Sequence, residues 1–196
     1  MGRSRTNLPW LAGSLAVLLV SALADAADLR FIEVERDTER NEYRLKSISW
    51  FDVDQASLFA VLTDYDQFYR FHSSIVESRN LAPDASGRPE YFTRMEGCIM
   101  MFCKSFIRIG RLELKPLEQI EAVTDPGRSD FQRSWERWRL RPEEGGTVLE
   151  YEFEMIPDFW VPPVIGPFFM KRALHSGGAN AVDRIEALAR GEEPAG

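Results

Sequence analysis

Apolar and polar residues alternate along several segments between residues 42 and 157, the pattern of half-buried β-strands. The clearest case is the segment 147–155. Its odd-numbered positions are Thr147, Leu149, Tyr151, Phe153 and Met155, and three of its even-numbered positions are Glu150, Glu152 and Glu154. This strand is predicted to have one packed face and one solvated face.

Turn-forming residues divide the stretch 90–155 into an antiparallel meander, with breaks at 99–102, 115–116, 125–127 and 143–146. One strand changes the parity of its apolar positions, which are 107 and 109 before Gly110 but 112 and 114 after it. We therefore expect a bulge at Gly110, which would bend the sheet. The aromatic residues of a later strand also occupy both odd and even positions: Phe131, Trp135 and Trp138.

The remaining segments predict a strand over 43–51, a short helix capped by Asp52 or Asp54, an aromatic turn or second short helix over 65–71, and a strand over 75–81. Apolar positions at helical spacing predict a long helix over 164–190, which Gly191 terminates. The pair Gly177-Gly178 costs this helix about 1–2 kcal/mol against alanines. These glycines are expected to allow close packing, a kink or room for a ligand.

Together the elements predict an α+β fold of the helix-grip kind. A curved antiparallel sheet wraps around the long C-terminal helix, and two short helices lie near the N-terminus. The predicted organisation has four parts: a signal peptide (1–26), a lead-in (27–41), a folded domain (42–190) and a flexible tail (191–196).

Composition is that of one globular domain with a generous core, since 44% of the 196 residues are hydrophobic and 12% are aromatic. Lys and Arg number 24 against 31 Asp and Glu, a formal charge of −7. The absence of any basic block in this sequence disfavours nucleic acid as a partner, because such binding depends on phosphate neutralisation.

The N-terminus has the pattern of a secretory signal peptide. Arg3 and Arg5 precede an apolar run over 10–23, and the segment 24–26, Ala-Asp-Ala, places cleavage before Ala27. The run is shorter than the ~20 residues that span a bilayer, although retention as an anchor stays open. The predicted product is soluble and periplasmic.

Export gives the two cysteines a context in which a disulfide persists. Cys98 and Cys103 flank four residues that can connect a β-hairpin, which would place the two thiols opposite one another. A disulfide is predicted, with a pair of buried free thiols as the alternative. The spacing fits neither a redox CxxC site nor a zinc site.

The segments 61–71, VLTDYDQFYRF, and 75–79, IVESR, resemble the opening of the START-like (SRPBCC, Bet v 1-like) superfamily, especially its polyketide cyclase and coenzyme Q-binding branch. Similar residues follow in the later strands: Phe131, Trp138, Thr147, Tyr151 and Glu152. The resemblance covers about residues 40–190. It implies a deep apolar cavity between sheet and helix that binds lipids, quinones, hormones or polyketides. The signal peptide, the cysteine pair and His72 depart from the usual form of that branch.

Candidate cavity residues are the large apolar side chains of the later strands and of the long helix: Phe92, Phe106, Phe131, Trp135, Leu149, Tyr151, Phe153, Met155, Phe159, Trp160, Phe169 and Leu174. Candidate groups for a polar ligand head are His72, Arg94, Arg133, Arg137 and His175. Arginines at one strand parity could meet a carbonyl, carboxylate or phosphate, although a solvated ion-paired face is the alternative.

Catalytic and metal motifs are absent from the sequence, which contains no GxSxG elbow and no HExxH. We therefore expect no metal, no cofactor and no assigned catalytic residue. The preferred hypothesis is an exported protein that binds a lipid or isoprenoid quinone. A cyclase, dehydratase or hydrolase using the same cavity, and an envelope-complex interaction module, are the alternatives. The apolar segment 158–170 is expected to be core, cavity portal or a transient membrane contact.

Overall fold

The computed structural model describes residues 27–99, 102–162 and 165–194. Eight strands form one antiparallel sheet: β1 (Asp28–Asp37), β2 (Glu42–Phe51), β3 (Ile75–Leu81), β4 (Glu90–Ile99), β5 (Phe102–Lys115), β6 (Gln119–Thr124), β7 (Phe131–Glu143) and β8 (Gly146–Pro157). Two α-helices accompany it, α1 (Gln55–Thr63) and α2 (Gly166–Ala189).

The sheet has the order β1-β2-β8-β7-β6-β5-β4-β3, so β1 and β3 are its edges. Strands β3 to β8 follow one another as a meander, and β8 then pairs with β2. The chain reaches β3 from β2 through α1 and a 3-10 turn, Phe68–Arg70. Helix α2 packs against β1, β2 and α1. This is the START-like helix-grip fold that the sequence predicts.

Local signals account for most boundaries. The Asp54 side chain caps α1 by accepting hydrogen bonds of 2.9 Å from the backbone N–H groups of Ala56 and Ser57. The aromatic segment after α1 forms only the 3-10 turn, so the expected second short helix is reduced to three residues. The predicted lead-in contains the edge strand β1, and the predicted signal peptide lies outside the described residues.

The expected bulge at Gly110 is wrong. Strand β5 pairs with β4 in unbroken register through this residue, and its pairing with β6 begins there. A Cβ here would lie 2.3 Å from the carbonyl oxygen of Val123, so the glycine serves the close approach of two strands. Alternation therefore continues along β5, and Arg108 and Leu112 are buried on the same face.

Mixed parity in β7 comes from an irregularity at the start of the strand. A register shift between Phe131 and Arg133 lets Phe131 and Trp138 both be buried although their parities differ. After the shift, even-numbered side chains of β7 face inward. Trp135 consequently lies on the opposite face, where its ring stacks under Arg137.

Cys98 and Cys103 face one another across the β4–β5 hairpin and form the predicted disulfide, with Cα atoms 4.0 Å apart. The four residues between them include 100 and 101, which the structure does not describe. Among the described residues, no helix has both the length and the apolar character needed to cross a membrane.

Candidate ligand cavity beneath the C-terminal helix

A cavity of about 210 Å³ separates α2 from the concave face of the sheet. Its walls are formed by β2, β4, β5, β7 and β8, by the segment 68–75, and by α2. Most of the lining is apolar: Leu45, Phe51, Phe68, Phe71, Ile75, Met95, Trp138, Leu149, Tyr151, Phe153, Ala173, Leu174, Ala181, Val182 and Ile185. The polar lining comprises Ser47, Ser49, His72, Ser74, Arg108 and Glu136.

A buried ion pair lies in the wall formed by β5 and β7. Arg108 Nη2 donates to Glu136 Oε1 at 2.9 Å, and the two side chains are 6% and 3% exposed. Tyr151 donates its hydroxyl to Glu136 Oε2 at 2.8 Å. The Tyr91 hydroxyl oxygen lies 3.3 Å from Arg108 Nη2, from which it accepts a hydrogen bond, and 3.1 Å from the Thr124 hydroxyl oxygen. We call Tyr91, Arg108, Glu136 and Tyr151 the polar cluster.

Electrostatics fix the ionisation states in the polar cluster. Burial raises the pKa of the Tyr151 phenol well above its ordinary value, and the Glu136 carboxylate raises it further. Burial would lower the pKa of Arg108, but Glu136 and the surrounding tyrosines raise it overall. Arg108 therefore stays charged and Tyr151 stays a neutral donor. The pair presents opposite charges side by side, with no net charge.

His72 lies on the opposite wall, beneath α2. Its Nδ1 accepts a hydrogen bond of 3.0 Å from the Ser74 backbone N–H, so the neutral ring carries its proton on Nε2. Burial lowers the pKa of His72, and the Arg184 guanidinium lowers it further, which favours that neutral form. A Cβ on Gly177 would lie 2.7 Å from Nε2, so the glycine makes room for the ring.

A second depression, about 480 Å³ in volume, opens beside the disulfide and the N-terminal half of α2. Apolar side chains dominate this groove: Phe106, Phe159, Trp160, Val161, Pro162, Phe169 and Met170. The rings of Phe106 and Phe159 lie 4.2 Å apart, with the Lys104 ammonium 4.9 Å from the Phe159 ring. Ala173 lines both the groove and the cavity, so the two spaces adjoin there.

Ten of the twelve sequence-predicted apolar candidates lie in three places. The cavity is lined by Leu149, Tyr151, Phe153 and Leu174, and by the polar candidate His72. The groove is lined by Phe106, Phe159, Trp160 and Phe169. Phe131 and Met155 are buried in a hydrophobic cluster with Tyr43, Leu45 and Phe153.

The remaining candidates on strands lie away from the cavity, because their parity turns them to the outer face of the sheet. Phe92 stacks against Arg79, and Trp135 stacks against Arg137. The three candidate arginines form ion pairs there: Arg94 with Glu77 and Glu96, Arg133 with Glu154, and Arg137 with Glu121 and Glu152. His175 is exposed on α2. Their roles in ligand binding stay predictions.

Sequence reasoning missed Arg108 and Glu136, the two charged residues of the cavity wall. Strict alternation from Phe106 to Leu112 would have turned Arg108 inward, but the apolar pair at 107 and 109 suggested a bulge instead. Glu136 alternates with Trp138 and Leu140, which is a signal that its side chain shares their buried face. Within the described residues, no group of three or more His, Cys, Asp or Glu side chains could hold a metal ion.

Comparison with known proteins gives one family and many similar folds. A profile of the family described as polyketide cyclase / dehydrase and lipid transport matches residues 51–180, about two-thirds of the chain. No curated protein matches.

Three solved structures illustrate the similarity of fold. A START superfamily protein from Mycobacterium smegmatis is 16% identical with a TM-score of 0.58, and the alignment covers 76% of this chain and 97% of that one. The Zhui aromatase/cyclase from Streptomyces sp. R1128 is 9% identical with a TM-score of 0.60 and coverages of 76% and 94%. A STAR-related lipid transfer protein from Xanthomonas axonopodis is 13% identical, with a TM-score of 0.58 and coverages of 81% and 98%.

Proposed function

Since the chain belongs to the family of polyketide cyclases, dehydrases and lipid-transport proteins, we propose that it binds an apolar small molecule whose polar head enters the cavity beneath α2. The observation that carries this proposal is the cavity itself. It combines a mostly apolar wall with a small number of fixed polar groups, the usual composition of a ligand site.

The size of the cavity favours a ring-sized head. A dry cavity of roughly 150 Å³ accommodates benzene, so about 210 Å³ accommodates a substituted six-membered ring but not a long chain. A longer tail would have to leave past Ala173 into the adjoining groove, which is about 480 Å³ and lined mainly by apolar side chains. The ligand we propose is therefore a small polar ring with an apolar tail.

Charge in the cavity favours an uncharged head. Arg108 is already neutralised by Glu136 at 2.9 Å, so a phosphate or carboxylate would have to displace a buried partner. A carbonyl or hydroxyl can instead accept from the His72 Nε2–H or from the serine hydroxyls of the lining. An isoprenoid quinone meets both requirements, a carbonyl-bearing ring and an apolar tail.

We further propose that this binding takes place outside the cytoplasm. The signal-peptide pattern of residues 1–26 supports export, and the disulfide between Cys98 and Cys103 is compatible with an oxidising compartment. A soluble periplasmic carrier or sensor of quinones or lipids is the role that fits these features together.

Native mass spectrometry of protein purified without detergent tests the binding proposal. We expect a co-purifying apolar molecule, or uptake of an added benzoquinone carrying two isoprenoid units in preference to a fatty acid or a phospholipid. Preference for the phospholipid would overturn the quinone assignment while keeping the cavity as the site. Failure of the whole panel to bind would overturn the proposal.

An enzyme of the cyclase, dehydratase or hydrolase kind is the second candidate. Two observations favour it: the similar fold of an aromatase/cyclase, and the neutral His72, whose Nε2–H lies at the cavity wall. Replacing His72 by Gln discriminates between the two functions. Loss of an assayed turnover with unchanged ligand affinity would assign catalysis to this cavity, whereas a carrier would show only altered affinity.

A further inference from the structure

One backbone nitrogen at the N-terminal end of the described residues contacts a buried carboxylate. The backbone N–H of Ala27 donates to Glu186 Oε2, across 159 residues of sequence. Glu186 lies on α2 and its side chain is only 5% exposed. Ala27 itself is half-buried against the main hydrophobic core, immediately before β1 begins.

Two independent observations coincide at this atom. The small-residue pattern at 24–26 places signal-peptide cleavage between Ala26 and Ala27, from sequence alone. The fold places the backbone nitrogen of Ala27 against Glu186. Hydrolysis of the 26–27 peptide bond by water would leave a carboxylate on Ala26 and an α-ammonium on Ala27.

The charges around Glu186 favour an added cation. Its Oε1 accepts from the Asp52 backbone N–H and from Arg190 Nη2, both at 2.9 Å. Arg190 also pairs with the Asp52 carboxylate at 2.9 Å, so these three side chains bring two carboxylates and one guanidinium together. A buried carboxylate is stabilised by each charged donor that reaches it.

We propose that Ala27 is the processed N-terminus and that its new α-ammonium forms a buried ion pair with Glu186, so that cleavage at this bond completes the fold. The precursor offers only a neutral amide at the same place. A chain cleaved one residue away would put its ammonium about one residue length, ~3.8 Å, from the carboxylate. The inference rests on the proposed export, which supplies the cleavage, but not on the proposed ligand.

The first experiment locates the N-terminus. The full chain is expressed with its own N-terminal segment in a Gram-negative host, and the exported product is measured by intact mass. We expect a product that begins at Ala27 with an unmodified amine. A different first residue, or a full-length product, would overturn the processing step.

The second experiment tests the ion pair itself and does not depend on export. Residues 27–194 contain every described strand and helix, so chains 27–196 and 26–196 are released from a fusion by a protease that leaves no extra residue. Each is made with Glu186 and with the substitution E186Q. We expect the one-residue extension to lower the thermal midpoint by about 2–6 °C with Glu186, and to have no effect with E186Q.

Two outcomes would overturn the ion pair: equal midpoints for the two chains with Glu186, or a difference that persists with E186Q. The exposed Glu192 supplies a matched control, since E192Q removes one negative charge nearby and should preserve the difference. If E186Q folds poorly, the pH dependence of the difference between the two chains with Glu186 tests the ion pair instead. The ion pair raises the α-amino pKa above its usual ~7.7–8.0, so the advantage of the 27–196 chain should disappear as the pH rises through that higher value.

Discussion

At the scale of single residues, the defining feature is the ion pair of Arg108 and Glu136, which is buried in the wall of an otherwise apolar space. Burying two opposite charges costs desolvation free energy. Removing either partner leaves the other charge buried and uncompensated, which lowers the free energy of unfolding strongly. The arrangement costs stability relative to an apolar core. The ion pair gives the cavity a polar surface.

Replacing Glu136 by Gln should lower the free energy of unfolding by about 3–5 kcal/mol, because it leaves the buried guanidinium of Arg108 uncompensated. Urea denaturation measures the loss. Glu152→Gln is the matched control, since Glu152 pairs with Arg137 at 3.1 Å on the solvated face and should cost less than about 1 kcal/mol. Similar costs for both substitutions would contradict the assignment of a desolvated pair.

His72 predicts a pH dependence of stability. Burial and Arg184 lower its pKa in the folded protein, so below its ordinary value of 6.5 the unfolded chain binds the proton more readily. Stability is therefore intact above pH 6.5 and falls as the pH drops through the lower, folded-state pKa. His72→Gln should reduce the difference between the unfolding free energies measured at pH 7.5 and at pH 5.5.

His175→Gln is the control for this experiment, because His175 is exposed on α2 and should leave the pH dependence of the wild type unchanged. Equal slopes for wild type and His72→Gln would contradict the buried, neutral state of His72.

Much of the candidate site could be predicted at this scale, and the part that could not has a physical reason. Tyr151 and Phe153 follow from the clean alternation of β8. Arg108 does not, because Ile107 and Ile109 are apolar yet lie half-buried on the opposite face. Their backbone N–H groups donate to Asp130 and Ser129 of the segment that follows β6. A local apolar pattern cannot distinguish the sheet's concave face from an opposite face that is half-buried.

At the scale of elements, two central glycines let α2 pack closely on its neighbours, Gly177 on the segment after α1 and Gly178 on β1 and β2. A Cβ on Gly177 would meet His72, and one on Gly178 would lie 3.0 Å from Ile32 Cδ1. The sequence predicted the helix, and it gave close packing as one of three possible roles for these glycines, beside a kink and room for a ligand. It could not show which side chains fill the space, because these come from β1, β2 and the segment after α1.

Gly177→Ala should destabilise the wild type, because its methyl group would displace a His72 ring that Ser74 holds in place. In a His72→Ala background the same substitution should stabilise the protein by about 1 kcal/mol, since alanine is the better helix former. Thermal unfolding of the four proteins measures this change of sign. Equal effects in both backgrounds would show that the ring is not the obstacle.

At the scale of the whole molecule, the cavity and the groove adjoin at Ala173, and exposed apolar side chains lie near the outer end of the groove. Trp160 is 75% exposed and Phe168 is 66% exposed, both near the start of α2. The exposed cations Lys171 and Arg172 follow directly. Such a combination is typical of surfaces that touch a lipid interface. A ligand with an apolar tail would enter or leave here.

Trp160→Ser should weaken binding to anionic phospholipid vesicles by about tenfold or more, because a large apolar side chain contributes roughly 1.5–3 kcal/mol when buried. Co-sedimentation with vesicles measures the effect. Leu114→Ser removes an apolar side chain of β5 that is 40% exposed and should leave binding unchanged. Equal losses for both variants, or retention of binding by Trp160→Ser, would contradict a role for this end of the molecule.

The most direct test of the central claim fills the cavity and measures ligand affinity. Ala181→Leu adds three carbons to a residue of α2 that lines the cavity of about 210 Å³, whereas Ala189→Leu adds them at the end of the same helix. Titration calorimetry with the short-chain isoprenoid benzoquinone should show at least tenfold weaker binding to Ala181→Leu and unchanged binding to Ala189→Leu. A folded Ala181→Leu protein that binds like the wild type would contradict the claim that the ligand occupies this cavity.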